Sequence, residues 1–205
     1  MTKRIIFIHG RATKPLENDL RDLWYDAVKS GLNVLVSEVH GMAQRGGIVK
    51  CDVRIGDIHS PLVARGSADV IVSTEPAEAL RQIDKANKDT IVVTDVNPVV
   101  PPSVVFEGVE YPSVKKILDE VERNCKEVYA IDANSLAIKA GDIISKNIVL
   151  LGALSALDVL PFSHELLLKI IEENLPNKDI NSKAFNLGRE EILKLKDEKK
   201  QSVLR

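Results

Sequence analysis

Glu38, His40, Gln44 and Arg45 stand within one short stretch, Val36 to Gly47, interleaved with Gly41, Gly46 and Gly47. Carboxylate, imidazole, amide and guanidinium are the groups that bind, orient or exchange protons, and loops between strands are where proteins place them. The glycines permit positive φ and close approach of the backbone to another surface. His40 can gain or lose a proton near neutral pH, or it can hydrogen-bond the loop to itself. Arg45 can hold a carboxylate or phosphate through both arms of its planar fork, or make an ion pair with a partner subunit. Glu38 is placed where ligands gather in open α/β sheets, at a strand's carboxyl end, and it could equally just pair with Arg45. From spacing alone, a polar surface loop punctuated by glycine describes the stretch as well.

The flanking residues say what holds this stretch. Asn33 to Val36 is an apolar run of strand character. From Ile48 to Ile55, Val49, Cys51, Val53 and Ile55 alternate with charged residues in the period of a half-buried strand. Upstream, Arg4 to Ile8 reads as a buried first strand. Pro15 to Ser30 carries Leu16, Leu20, Leu23, Trp24, Ala27 and Val28 at helical spacing, closed by Gly31. Downstream, Ala68 to Ser73, Thr90 to Asp95 and Val128 to Asp132 predict further strands. Pro76 suits a first helical position, and Ser113 suits a cap for a helix bearing Val114, Ile117, Leu118 and Val121. Ile148 to Leu157 is apolar on all sides, which predicts a helix buried between the sheet and another layer. Ser163 to Leu175 is amphipathic, and Arg189 to Lys200 predicts a charged helix with a fraying end. Strand–helix alternation predicts a Rossmann-like α/β fold: a mainly parallel sheet, helices on both faces, and at least one antiparallel strand at Ile48 to Ile55. One α/β domain over residues 1–180 and a helical extension over 181–205 is the expected division.

Composition narrows the function. With 205 residues the chain can bury a sizeable core. A net charge of −2 gives no electrostatic footprint for nucleic acid or an anionic membrane, and 4% aromatic residues supply no stacking platform for bases. Cys51 and Cys125 are too few for an iron–sulfur cluster, which takes four thiolates, and they suit buried positions in a reducing compartment. The four histidines lack metal-ligand spacing. The apolar start is too short for a signal peptide, and no run is long enough to span a membrane. A cytoplasmic protein is expected.

Ser37 to Gly47, Ser-Glu-Val-His-Gly-Met-Ala-Gln-Arg-Gly-Gly, resembles the signature of the beta subunit of indolepyruvate ferredoxin oxidoreductase and, more loosely, the gamma domain of 2-oxoacid:ferredoxin oxidoreductases. The resemblance continues through Ile58 to Leu62, Gly66 to Val70, Glu75 to Leu80, Tyr111 to Ser113, Asn147 to Leu154 and Lys183 to Gly188. It implies the small subunit of a complex that oxidatively decarboxylates aryl 2-oxo acids to acyl-CoA and reduces ferredoxin. It also implies that thiamine diphosphate, Mg and [4Fe-4S] clusters sit on a large alpha subunit, with none bound by this chain, and that ferredoxin and coenzyme A are met through the complex. Glu38, His40, Gly41, Gln44, Arg45, Gly46 and Gly47 become the binding or interface residues. Residues 1–27 depart from the pattern. Where the family has a glycine-rich turn, this chain has His9-Gly10-Arg11-Ala12-Thr13-Lys14-Pro15. One glycine and a proline at the helix start predict weak binding of coenzyme A or nucleotides by the isolated chain, on the order of 100 μM.

Two other readings stay open. A stand-alone Rossmann-type nucleotide-binding or partner-docking module would need no catalysis of its own, although Gly-x-Gly-x-x-Gly is missing. A serine hydrolase would need Gly-x-Ser-x-Gly, and the chain has none.

Overall fold

The computed structural model describes residues 2–9, 31, 33–40, 49–100, 104, 108 and 110–203. The helix expected over Pro15 to Ser30, the anomalous loop after His9, Gly41 to Gly47 and Pro101-Pro102 lie outside them.

Six strands form one mixed sheet in the order β2-β3-β1-β4-β5-β6. They are β1 (Lys3–His9), β2 (Val34–His40), β3 (Val49–Ile55), β4 (Val70–Ser73), β5 (Ile91–Asp95) and β6 (Glu127–Ile131). The expected antiparallel strand is β3, which runs against both β1 and β2. The pairs β1–β4, β4–β5 and β5–β6 are parallel. β2 therefore points the same way as β1, and one edge of the sheet gathers the carboxyl ends of β2, β1, β4, β5 and β6.

Alternation along the strands sorts side chains onto two faces. Val70 and Val72 of β4, Val93 of β5, and Tyr129 and Ile131 of β6 face a large apolar cluster. Ile71, Val92 and Val128 face a smaller one. Over the large cluster lie α3 (Ala133–Ala140), α4 (Lys146–Ser155), α5 (His164–Asn174) and α6 (Lys178–Val203). Over the small one lie α1 (Pro76–Arg81) and α2 (Val114–Glu122). The expected starts hold: Pro76 opens α1, Ser113 Oγ accepts from Lys116 N at 3.4 Å, and Ser163 Oγ accepts from Leu166 N at 3.4 Å. After Arg81 the chain tightens into a 3-10 turn, Ile83–Lys85, instead of continuing the α-helix.

α4 is buried all round, from Ile148 to Leu154, as its continuous apolar sequence predicts. Its second covering layer is α6. Where the two helices cross, a Cβ on Gly152 would fall 1.9 Å from Phe185 O, and one on Gly188 would fall 1.9 Å from Val149 O. Each helix uses a glycine to seat the other's backbone. Phe185 and Ile192 of α6 are fully enclosed, and the boundary expected at 180/181 falls within this helix.

Two lysines in the last turns of α6 tie it to the body of the protein. Lys196 Nζ donates to Ala156 O at 3.0 Å and pairs with Asp158 at 3.2 Å. Lys199 Nζ donates to Val128 O at 2.9 Å and stands 4.2 Å from the centre of the Tyr129 ring. Both lysines lay their stems along the body of the protein and keep their cations at its rim.

Candidate functional site

The carboxyl edge is where an open α/β sheet holds ligands. His40 and His9 are both register partners of Val49, so β1, β2 and β3 end in line there. Ser73 is the partner of Ile8 and of Thr94, and Asp95 of Ile131, which continues the line. Glu38 is the partner of Cys51. Of the predicted site residues, Glu38 and His40 thus sit on β2 at this edge. The connection carrying Gly41, Gln44, Arg45, Gly46 and Gly47 begins and ends on it, and those residues lie outside the described ones. Burial pushes the Cys51 thiol up to about 12, helped by Glu38 and Asp52, so it is an inert core thiol as its strand position implies. Cys125 is buried on the other face. His59 is exposed on the loop after β3, and His164 opens α5 beside Glu165, 3.3 Å away.

The structure adds two side-chain clusters that the sequence reading did not single out. The first is at the end of β4. Glu75, almost fully buried, caps α1 by accepting from Glu78 N at 3.1 Å through Oε1, while Tyr111 donates its hydroxyl to Oε2 at 2.7 Å. Ser73 Oγ donates to Glu75 O and accepts from Glu75 N at 3.3 Å. Glu78 is equally buried; its Oε1 meets Arg81 at 2.6 Å, and its Oε2 has no hydrogen-bond partner. Burial raises the Glu78 carboxyl above its ordinary range, opposed by Arg81 and aided by Glu75. The Tyr111 hydroxyl is pushed far up by burial and by its bond to Glu75, so it stays protonated and donates.

The second cluster is at the end of β5. Asp95 is fully buried. Its Oδ1 accepts from Asn97 N at 3.2 Å, Asn97 Nδ2 at 2.8 Å and Ala133 N at 3.2 Å. Its Oδ2 pairs with Lys146, the first residue of α4. Asn97 Nδ2 also donates to Asp132 Oδ1 at 2.8 Å. Asp132 caps α3 through Ser135 N at 3.0 Å and takes the Ser135 hydroxyl at 2.6 Å. Those Ser135 bonds hold the Asp132 carboxyl below its ordinary range.

Glu75 and Tyr111 were visible in sequence only as places where the resemblance continues. Asp95 and Lys146 carried no local signal, because each looks ordinary in its own element. No group of three or more His, Cys, Asp or Glu side chains among the described residues is arranged to hold a metal ion. The chain's two thiols lie on opposite faces of the sheet and cannot ligate one cluster together. Among the described residues no helix is long and apolar enough to cross a membrane.

This mixed sheet is the fold of the keto/oxoacid ferredoxin oxidoreductase gamma subunit from Geobacter sulfurreducens, with a TM-score of 0.64 at 20% identity, over 94% of this chain and 99% of that one. It recurs in the 2-oxoglutarate:ferredoxin oxidoreductase from Magnetococcus marinus, with a TM-score of 0.68 at 19% identity, over 94% of this chain and 31% of that one. Residues 23–191 match the family described as Pyruvate ferredoxin/flavodoxin oxidoreductase, and the chain belongs to it as an oxidoreductase subunit. Indolepyruvate oxidoreductase subunit IorB of Archaeoglobus fulgidus is 40% identical over 164 residues, 79% of this chain and 82% of that protein. The protein of the same description from Pyrococcus horikoshii is 43% identical over 170 residues, 81% of this chain and 84% of that protein.

Proposed function

We propose that this chain is the small subunit of an indolepyruvate oxidoreductase that converts aryl 2-oxo acids to acyl-CoA, releases carbon dioxide and reduces ferredoxin. The observation that carries the reading is its 36% to 43% identity to IorB subunits over about four-fifths of its length. In this reading thiamine diphosphate, Mg and the clusters belong to the large subunit. Thiamine diphosphate supplies the carbanion-stabilising ylid there, and this chain's part is to dock on that subunit and complete its site. Glu38, His40, Gly41, Gln44, Arg45, Gly46 and Gly47 are the residues proposed to do so. Arg45 offers the planar fork that a carboxylate would meet, and His40 a proton carrier near neutral pH.

A stand-alone nucleotide-binding module is the weaker reading. In the sheet order the chain leaves β1 for β2 on one side and β4 for β5 on the other, so the natural crevice of the fold lies between β1 and β4. The chain carries no Gly-x-Gly-x-x-Gly to bring backbone N–H groups against a diphosphate there.

Purified alone, the chain is expected to carry no thiamine diphosphate and to leave ferredoxin oxidised with any 2-oxo acid. Mixed with the large subunit of its source, it should restore turnover with indolepyruvate. Arg45→Ala should lower that turnover while leaving the melting temperature of the isolated chain unchanged. Turnover by the chain alone, or a large subunit indifferent to its presence, overturns the proposal.

A further inference from the structure

Arg4 of β1 and Arg54 of β3 are register partners across the antiparallel pair, at the amino edge of the sheet. Ile5 and Val53, both fully buried, face the large cluster, so alternation turns the two arginines to the other side. The loop from Ile58 to Ser67 lies on that side, with Val63 in the small cluster. Arg54 Nη1 donates to Ser60 O at 2.7 Å, and Arg4 Nη1 donates to Ser67 O at 3.1 Å. Each guanidinium thus spends Nη1 on a carbonyl of one loop and keeps the Nε–Nη2 side of its fork.

The nearby carboxylates are engaged elsewhere. Asp52, on the same side of β3, pairs with Lys50 at 3.1 Å and accepts from Val63 N at 3.0 Å. Asp69 accepts from the backbone N–H of Arg4 at 2.7 Å. Asp57 stands 3.9 Å from His59, and Asp84 stands 3.3 Å from Arg65. Among the described residues no carboxylate makes an ion pair with Arg4 or Arg54. Like charges directly opposite each other in an antiparallel pair repel. A carbonyl asks only for a neutral donor, so holding the loop does not account for two full charges side by side. Nε of Arg54, moreover, is shut off from water and has no hydrogen-bond partner, which is costly for a buried donor.

We propose that Arg4 and Arg54 form a binding site for a phosphate group. A phosphate dianion brings the two negative charges that the pair lacks. Its oxygens also suit the side-on fork of a guanidinium, and they would give Arg54 Nε an acceptor. The site lies at the edge away from Glu38 and His40, so it stands independently of the small-subunit reading. Once occupied, it ties β1, β3 and the loop from Ile58 to Ser67 together.

The test is calorimetric titration of the full-length chain with inorganic phosphate and with ADP, and melting in phosphate and in chloride at matched ionic strength. Phosphate at ten times its Kd should raise the melting temperature by about 4 °C over chloride. R54K keeps the charge and loses the fork, and should weaken phosphate binding on the order of 10-fold. R4M/R54M should abolish it, and R54K decides the matter even where the double variant loses stability. R65M alters a mostly exposed arginine of the same loop and should bind as the unaltered chain does. Uptake of inorganic phosphate that weakens in R54K supports the site with a free anion as its ligand. Uptake of ADP alone, also weakened in R54K, supports it with the phosphate end of a nucleotide. Equal melting in phosphate and chloride without ADP uptake overturns the proposal, and so does binding that R54K leaves unchanged. An equal response to succinate would make the ligand a carboxylate and overturn the phosphate assignment.

Discussion

The two faces of the sheet are covered by different physics. On one side α4 and α6 press together through glycines, backbone against backbone, in an apolar layer that encloses Phe185 and Ile192. On the other, α1 and α2 cover a smaller apolar patch, and the join is made by polar groups. Asp52 accepts from Val63 N at 3.0 Å, and Glu75 ties α1 to Tyr111. The first face tolerates no change of shape, and the second tolerates little change of hydrogen bonding. The site proposed above lies at the rim between them, along the carboxyl edge of the sheet.

The sharpest way to break the first face is Gly152→Ala or Gly188→Ala. Helix propensity alone favours alanine by about 1 kcal/mol. The overlap wins, because the atom met at 1.9 Å is backbone and cannot swing aside. A net loss of about 4 kcal/mol is expected, read as a fall in melting temperature on the order of 10 °C. A melting temperature unchanged or raised would show that the helices separate freely.

Next comes the rim. Lys146→Met strands the fully buried Asp95 carboxylate, and breaking such a pair costs about 3 kcal/mol. Replacing both partners, as in D95N/K146M, should recover part of that loss. Urea denaturation of these two variants and the unaltered chain compares breaking the pair with replacing it, and equal stability of the single and double variants would refute the coupling.

On the polar face, Tyr111→Phe removes one donor from buried Glu75 and should cost about 1–2 kcal/mol, chiefly by leaving Oε2 without its bond.

The smallest effect is expected at Glu78. Its carboxyl holds its proton more tightly folded than unfolded. The stability it contributes is therefore fully present below its unfolded value and lost as pH rises through the raised folded one. Glu78→Gln should flatten the pH dependence of stability in that acidic window and change little else. An unaltered slope would mean that Glu78 titrates normally.

The sequence made the layered fold legible because periodicity is local: alternation marked β3, and an unbroken apolar run marked α4. The cap at Ser113 and the proline at α1 were visible for the same reason. The helix crossing was not, since Gly152 and Gly188 looked like ordinary helical glycines until the partner's backbone was placed against each. The Asp95–Lys146 pair joins elements separated by a strand and two helices, which no window of sequence spans. At the site, Glu38 and His40 fall on the expected edge because strand direction follows from the sheet, while Tyr111 reaches Glu75 from 36 residues away. The reach of Lys196 and Lys199 to the carbonyls of Ala156 and Val128 was equally hidden, because each contact joins residues far apart in the chain.

The glycine crossing also sets an order on synthesis. α6 follows every other described element in the chain, so all six strands and α4 leave the ribosome before the helix that covers α4 exists. Until it arrives, the surface from Ile148 to Leu154 that α6 will cover has nothing to bury it. Translation at about 5–20 residues per second leaves that surface bare for seconds. During that interval the nascent chain is sticky, and a chaperone, or a partner captured early, would raise the yield of folded subunit more than it would raise the stability of the finished one.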